Sequence, residues 1–214
     1  MEEKIYGLLR ERDSEGLISL IRSDLSLVSF TDSRGLSLVV LATYFRLREV
    51  VEFILARRAP FDIYEATVAG RVRDVETFLD KELHLMNSFS GDGFTPLGLA
   101  SYFCQAEVAA LLLERGAEPN IPSENSFKVY PIHSAVAADC VEIVQMLMKR
   151  GADVNVKQQG DVTPLHSAAH NGNAQIATLL ISGGADKDVL TADGKSPADM
   201  AREVGSDEVL SLLA

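Results

Sequence analysis

The sequence predicts an all-α fold, a stack of about seven helix-turn-helix units joined by β-hairpin loops in a single domain of 214 residues. Three observations predict it. An opening phrase recurs: Thr95-Pro96-Leu97, Tyr130-Pro131-Ile132-His133, Thr163-Pro164-Leu165-His166 and Ser196-Pro197-Ala198. A stop recurs: Arg115-Gly116-Ala117, Arg150-Gly151-Ala152 and Gly183-Gly184-Ala185. The period is about 33 to 35 residues throughout this region. Each phrase has a local meaning. A Ser or Thr hydroxyl caps a helix, and Pro suits the first helical position. In residues 163–185, Leu165, Ala168 and Ala169 make one small apolar face, and Ile176, Leu179 and Leu180 make the stripe of a second helix. Gly172 separates the two helices, and Gly183 and Gly184 close the second. So small a pair cannot bury its own faces, so it must stack on copies of itself.

Phrase, stop and period together resemble the ankyrin repeat family, clearly over residues 92–214 and more faintly toward the N-terminus. The resemblance implies an ankyrin-repeat solenoid. It implies that the His of the opening phrase, His133 or His166, hydrogen-bonds across to a neighbouring unit. It also implies a protein-interaction module whose partners dock along a concave side, built from hairpin tips and the exposed ends of first helices.

The units follow in order. Residues 1–30 read as an N-terminal capping unit with helices EEKIYGLLRER and SEGLISLIRSD, Ser14 being the expected N-cap. Ile5, Leu8, Leu9, Leu17, Leu20 and Ile21 form its buried face. The second unit, 31–58, lacks the Pro opener and places Arg46 where a Gly is expected between helices, which costs energy if that residue is left-handed. The third unit, 59–90, opens at Phe61, too soon for a hairpin loop to fit. A continuous array is favoured there over two stacks, 1–58 and 61–214, that dock. Units 91–122, 123–156 and 157–189 are regular, apart from a lengthened loop at 121–129. Residues 190–214 carry Asp207, Glu208 and Ser211 outward as a C-terminal capping unit, so the array is expected to be complete.

Composition narrows the function. Nearly half the residues are apolar, which excludes a disordered chain. Twenty Lys and Arg against 31 Asp and Glu give a net charge of −11, which repels nucleic acid and anionic membranes and either favours a basic contact face on a partner or serves only solubility. The N-terminus lacks a secretory pattern, and no apolar run is long enough to span a bilayer. Cys104 and Cys140 fall near the same turn of neighbouring units. Stacked helices lie roughly 10 Å apart, beyond the ~7 Å a disulfide allows. Both are therefore expected to be reduced thiols, in a cytoplasmic protein.

No catalytic constellation is present. There is no G-x-S-x-G elbow and no phosphate-binding G-x-x-x-x-G-K-[ST]. His166 and His170 have helical i, i+4 spacing, but no third ligand stands near, so no metal or other cofactor is expected. The expected function is non-catalytic protein binding by a monomer. The alternatives are self-association in an assembly, or a small-ligand or metal site at His166 and His170. The candidate partner-binding residues are Tyr44 and Phe45 in LATYF and Tyr102 and Phe103 in LASYF, each Phe also being a candidate for packing on the next unit. The tips add Arg34, Asp92, Phe94, Gln159, Asp161 and Lys195, and the sixth unit adds His170 and Asn171.

Overall fold

The computed structural model describes residues 1–60 and 62–214, so the opening position at Phe61 lies outside the described residues. Among the described residues the fold is helical, with isolated bridges at Thr31–Ser37 and Gln158–Val162 but no strand. The α-helices form consecutive pairs: α1 Glu2–Arg10 and α2 Ser14–Ser23; α3 Leu38–Tyr44 and α4 Arg48–Leu55; α5 Ile63–Val68 and α6 Val72–Lys81; α7 Pro96–Tyr102 and α8 Ala106–Glu114; α9 Pro131–Ala137 and α10 Val141–Lys149; α11 Pro164–His170 and α12 Ala174–Ser182; α13 Pro197–Glu203 and α14 Asp207–Leu213. Helices this short are unstable alone in water, so stacking must supply most of their stability. None is long and apolar enough to cross a membrane.

One geometric feature repeats in every pair. The residue that links the two helices takes a positive φ: Arg12, Arg46, Gly70, Cys104, Asp139, Gly172 and Gly205. The second repeating position is the hairpin tip, where Gly35, Gly93, Lys128, Asp161 and Gly194 have positive φ. Among the described residues, none between α4 and α5 has a positive φ. At Arg46, φ is 61°, so the conformational cost expected there is present.

Side-chain caps mark half of the α-helix starts among the described residues. Thr163 and His166 form a reciprocal capping box, as do Ser196 and Asp199. The cap of α2 is Asp13, whose carboxylate accepts the Gly16 N–H at 2.8 Å. Ser14, expected as the cap, is instead the first helical residue.

The chain divides into two compact units, residues 1–85 with 90–92, and residues 86–89 with 93–214. In the first, α2 packs on α4 and α3 packs on α5, so Pro60 lies inside the unit. Its core includes Ile5, Leu9, Leu17, Ile21, Leu38, Ile54, Ile63 and Leu79. Leu8 is only half-buried. A bidentate ion pair closes the shortened junction. The guanidinium of Arg58 donates to both oxygens of fully buried Glu65, at 2.7 and 2.8 Å, and to the Val28 carbonyl at 2.8 Å.

In the second unit the first helices stack as α7, α9, α11 and α13, and the second helices as α8, α10, α12 and α14. Leu97, Leu112, Ile132, Leu147, Leu165, Leu180 and Val209 fill the space between. Cys104 and Cys140 form a disulfide across neighbouring pairs, with Cα atoms 5.6 Å apart. The expectation of two reduced thiols is thereby overturned, and the inference to a cytoplasm loses the support it drew from them. The two residues are one step out of register. Cys104 is the left-handed turn residue, whereas Cys140 follows its turn residue, Asp139. That offset brings the backbones closer than the helix spacing.

The histidines of the opening phrases link neighbouring pairs. His133 Nε2–H donates to the Val162 carbonyl and His166 Nε2–H to the Lys195 carbonyl, each at 3.0 Å. Nδ1 of His166 takes the Thr163 hydroxyl proton at 2.8 Å. Tyr130 occupies the matching cap position and makes no side-chain cap, and Nδ1 of His133 has no partner. Burial pushes His133 down to about 4. Its folded value lies below its unfolded one, so its contribution is intact above the usual histidine range and is lost as pH falls toward 4. The expected loss between pH 7 and pH 4 is about 3 kcal/mol. Urea unfolding at both pH values, compared with His133→Asn, isolates it. An equal pH dependence in the variant would refute the assignment.

Candidate partner-binding surface

In the first unit the hairpin tips are tied to first-helix side chains. Asp32 accepts the Tyr6 hydroxyl at 2.7 Å, the Arg34 guanidinium at 3.1 Å, and the backbone N–H groups of Arg34 and Leu36. Burial alone would raise this carboxyl, but the bonds from Tyr6, Leu36 and Arg34 hold it below the usual carboxylate range. Arg34 also donates to the Tyr6 hydroxyl at 2.8 Å, so it is a structural clamp as well as an exposed tip.

Tyr44 and Asp92 are brought together. The Tyr44 hydroxyl donates to Asp92 at 2.6 Å, and Ser90 donates to the other carboxylate oxygen. Tyr44 and Phe45 are both half-buried. The sequence suggested each of these as a separate anchor and gave no sign of the Tyr44–Asp92 bond. That bond joins a helix end to a hairpin tip 48 residues away.

The second unit presents aromatic surface. Tyr102, at the end of α7, is 45% exposed and meets Phe103 edge-to-face, with ring centroids 5.1 Å apart. Phe103 and Phe94 are half-buried. Phe127, in the lengthened loop, is 58% exposed, more than any predicted aromatic. Its N–H is held by Asn125 and its carbonyl accepts from the Gln159 N–H at 2.9 Å, so a neighbouring tip fixes its backbone. Sequence reasoning passed over Phe127. The available signal was one large apolar residue inside the polar loop SENSFK. Val204, at the turn after α13, is a second exposed apolar residue of this kind.

The polar candidates divide by what holds them. Gln159, Asp161 and His170 are exposed. Asn171 donates to the Val136 carbonyl and to Asp139, at 3.1 and 3.2 Å, and so serves as a brace between pairs. Lys195 pairs with Glu203 at 2.6 Å. His166 and His170 do not form a pair of open imidazoles. His166 is fully buried and both its ring nitrogens are engaged.

Several carboxylates lie in the same turns and tips, among them Glu107, Glu124, Asp139, Asp161, Asp193 and Glu203. The surface is therefore apolar area set among acidic side chains.

A sequence model described as ankyrin repeats (3 copies) matches residues 27–158 and 132–214. Similar stretches occur in human neurogenic locus notch homolog protein 4, 46% identical over 59 residues, which is 28% of this chain and 3% of that protein. The rat ankyrin repeat and SAM domain-containing protein 6 is 31% identical over 107 residues, 50% of this chain and 12% of that one. Neurogenic locus notch homolog protein 1 of Xenopus tropicalis is 33% identical over 84 residues, 39% of this chain and 3% of its own. The chain thus spans only a small part of the relatives it matches. With its paired short helices, repeated turn geometry and cross-pair histidines, the chain belongs to the ankyrin repeat family.

Proposed function

We propose that this protein is a non-catalytic module that binds a partner protein with its second unit. The partner docks on the hairpin tips and first-helix ends, the side that is concave in the family. Ankyrin repeats are in general protein-interaction modules and in general non-catalytic. One observation carries the reading. Tyr102 and Phe127 are exposed aromatics on backbones that bonded turns hold in place. Rigid aromatics bury large areas with little loss of side-chain freedom, which makes them frequent binding hot spots. The surrounding carboxylates favour a basic partner face. We propose further that the protein acts as a monomer, for which sedimentation at increasing concentration is the check.

The expected result for Tyr102→Ala combined with Phe127→Ala is a partner affinity lower by roughly 30-fold or more. Partner captured from the native host and identified by mass spectrometry provides the ligand. Circular dichroism should show the fold of the double variant unchanged. Unaltered affinity in the folded double variant removes this surface from consideration.

A further inference from the structure

We propose that the first unit carries a second docking surface, an arginine row along its inter-helix turns that binds an extended acidic segment of a polypeptide. The row follows the inter-helix turns, though not one position within them. Each of the three turns bears two arginines two residues apart: Arg10 and Arg12, Arg46 and Arg48, Arg71 and Arg73. All six are exposed. Because α2 packs on α4 and α3 on α5, the three turns are successive neighbours along one edge of the unit. The corresponding turns of the second unit, residues 102–107, 137–142, 170–175 and 203–208, contain no Lys or Arg.

Structure alone gives no reason for Arg12, Arg46, Arg71 and Arg73. Arg12 and Arg46 occupy the left-handed turn position, at φ of 53° and 61°. Gly70, Gly172 and Gly205 hold the same position elsewhere, so the fold accepts the residue that suits it better. Among the described residues, Arg12, Arg46, Arg71 and Arg73 form no ion pair. Arg48 pairs with Glu52, and Arg10 lies over the Tyr6 ring. Carboxylates do stand in the same turns. Asp13 is occupied as the α2 cap, and Glu49 and Asp74 sit in the first turns of α4 and α6, where the helix dipole favours them. Glu11 is exposed beside Arg12. The guanidiniums of Arg12, Arg46, Arg71 and Arg73 remain open to an outside ligand.

The ligand chemistry follows from the row. A guanidinium matches a carboxylate with two parallel hydrogen bonds. Neighbouring helices pack about 10 Å apart, so three turns span roughly 20 Å. An extended chain covers that distance with about six residues. A short acidic segment places its charges at the row and leaves the rest of this acidic molecule alone. A nucleic acid carries charge along its whole length and would meet the net charge of −11 within a Debye length or so, about 8 Å. The row also offers no exposed aromatic on which a base could stack.

The test uses the full chain and a fluorescein-labelled octaglutamate peptide, with binding read by fluorescence anisotropy at two salt concentrations. Saturable binding that weakens with salt is expected. Arg12→Gly with Arg46→Gly should lower affinity about tenfold or more. The melting temperature should hold or rise, because Gly suits both positions. Arg71→Ser with Arg73→Ser should do the same without touching a left-handed residue. Lys149→Ser with Lys187→Ser, in the second unit, should leave binding unchanged. Three results overturn the proposal: no binding of octaglutamate, equal binding by the arginine variants, or tighter binding of a single-stranded oligonucleotide of equal charge.

Discussion

Replacing Arg58 by Leu is expected to destabilise the protein by about 3–5 kcal/mol. The side chain of Arg58 is 11% exposed and that of Glu65 not at all. Removing the guanidinium takes the counter-charge from a carboxylate in the core and also removes its bonds to the carbonyls of Val28 and Ala59. The pair stands where the chain omits a hairpin loop. One long side chain reaches across the shortened junction and supplies bonds a loop would otherwise make. Arg58→Leu combined with Glu65→Leu should recover most of the loss, since a matched apolar pair often equals or exceeds a buried ion pair. Urea unfolding followed by circular dichroism measures both. A single variant within about 1 kcal/mol of the parent would show that the pair does not hold the junction.

Reduction of the Cys104–Cys140 disulfide is expected to cost about 3–4 kcal/mol, because the bond closes a loop over a sequence separation of 36 in the unfolded chain. The melting temperature should fall by roughly 10 °C. Cys104→Ser with Cys140→Ala should show the same lower value and should not respond to dithiothreitol. Cys140 is buried and Cys104 exposed, so reductant can reach the bond from the Cys104 side. Two free thiols by titration of the untreated protein, with parent and variant melting together, would exclude the bond.

The helices were legible because their signals are local. Thr95, Thr163 and Ser196 before Pro mark starts, and each accepts the predicted backbone N–H at its cap. Spacing alone predicts a shortened junction, whose opening position, Phe61, lies outside the described residues. The N-terminal cap was misplaced by one residue because Asp13 and Ser14 are both good caps, and only backbone geometry chooses between them. Less of the candidate surface was legible. Tyr102 was found from its phrase, whereas Phe127 lies in a loop whose path no periodic pattern describes.

By itself the sequence determined the period, the helix pairs, the caps before Pro and most of the buried faces, all of which depend on residues a few positions apart. Tertiary structure decided that Cys104 meets Cys140, that Arg58 reaches Glu65 and Val28, and that Tyr44 meets Asp92. Each of these meetings depends on the rotation and one-residue register of neighbouring elements. A period of about 33 residues leaves both undetermined, and packing of the core side chains settles them.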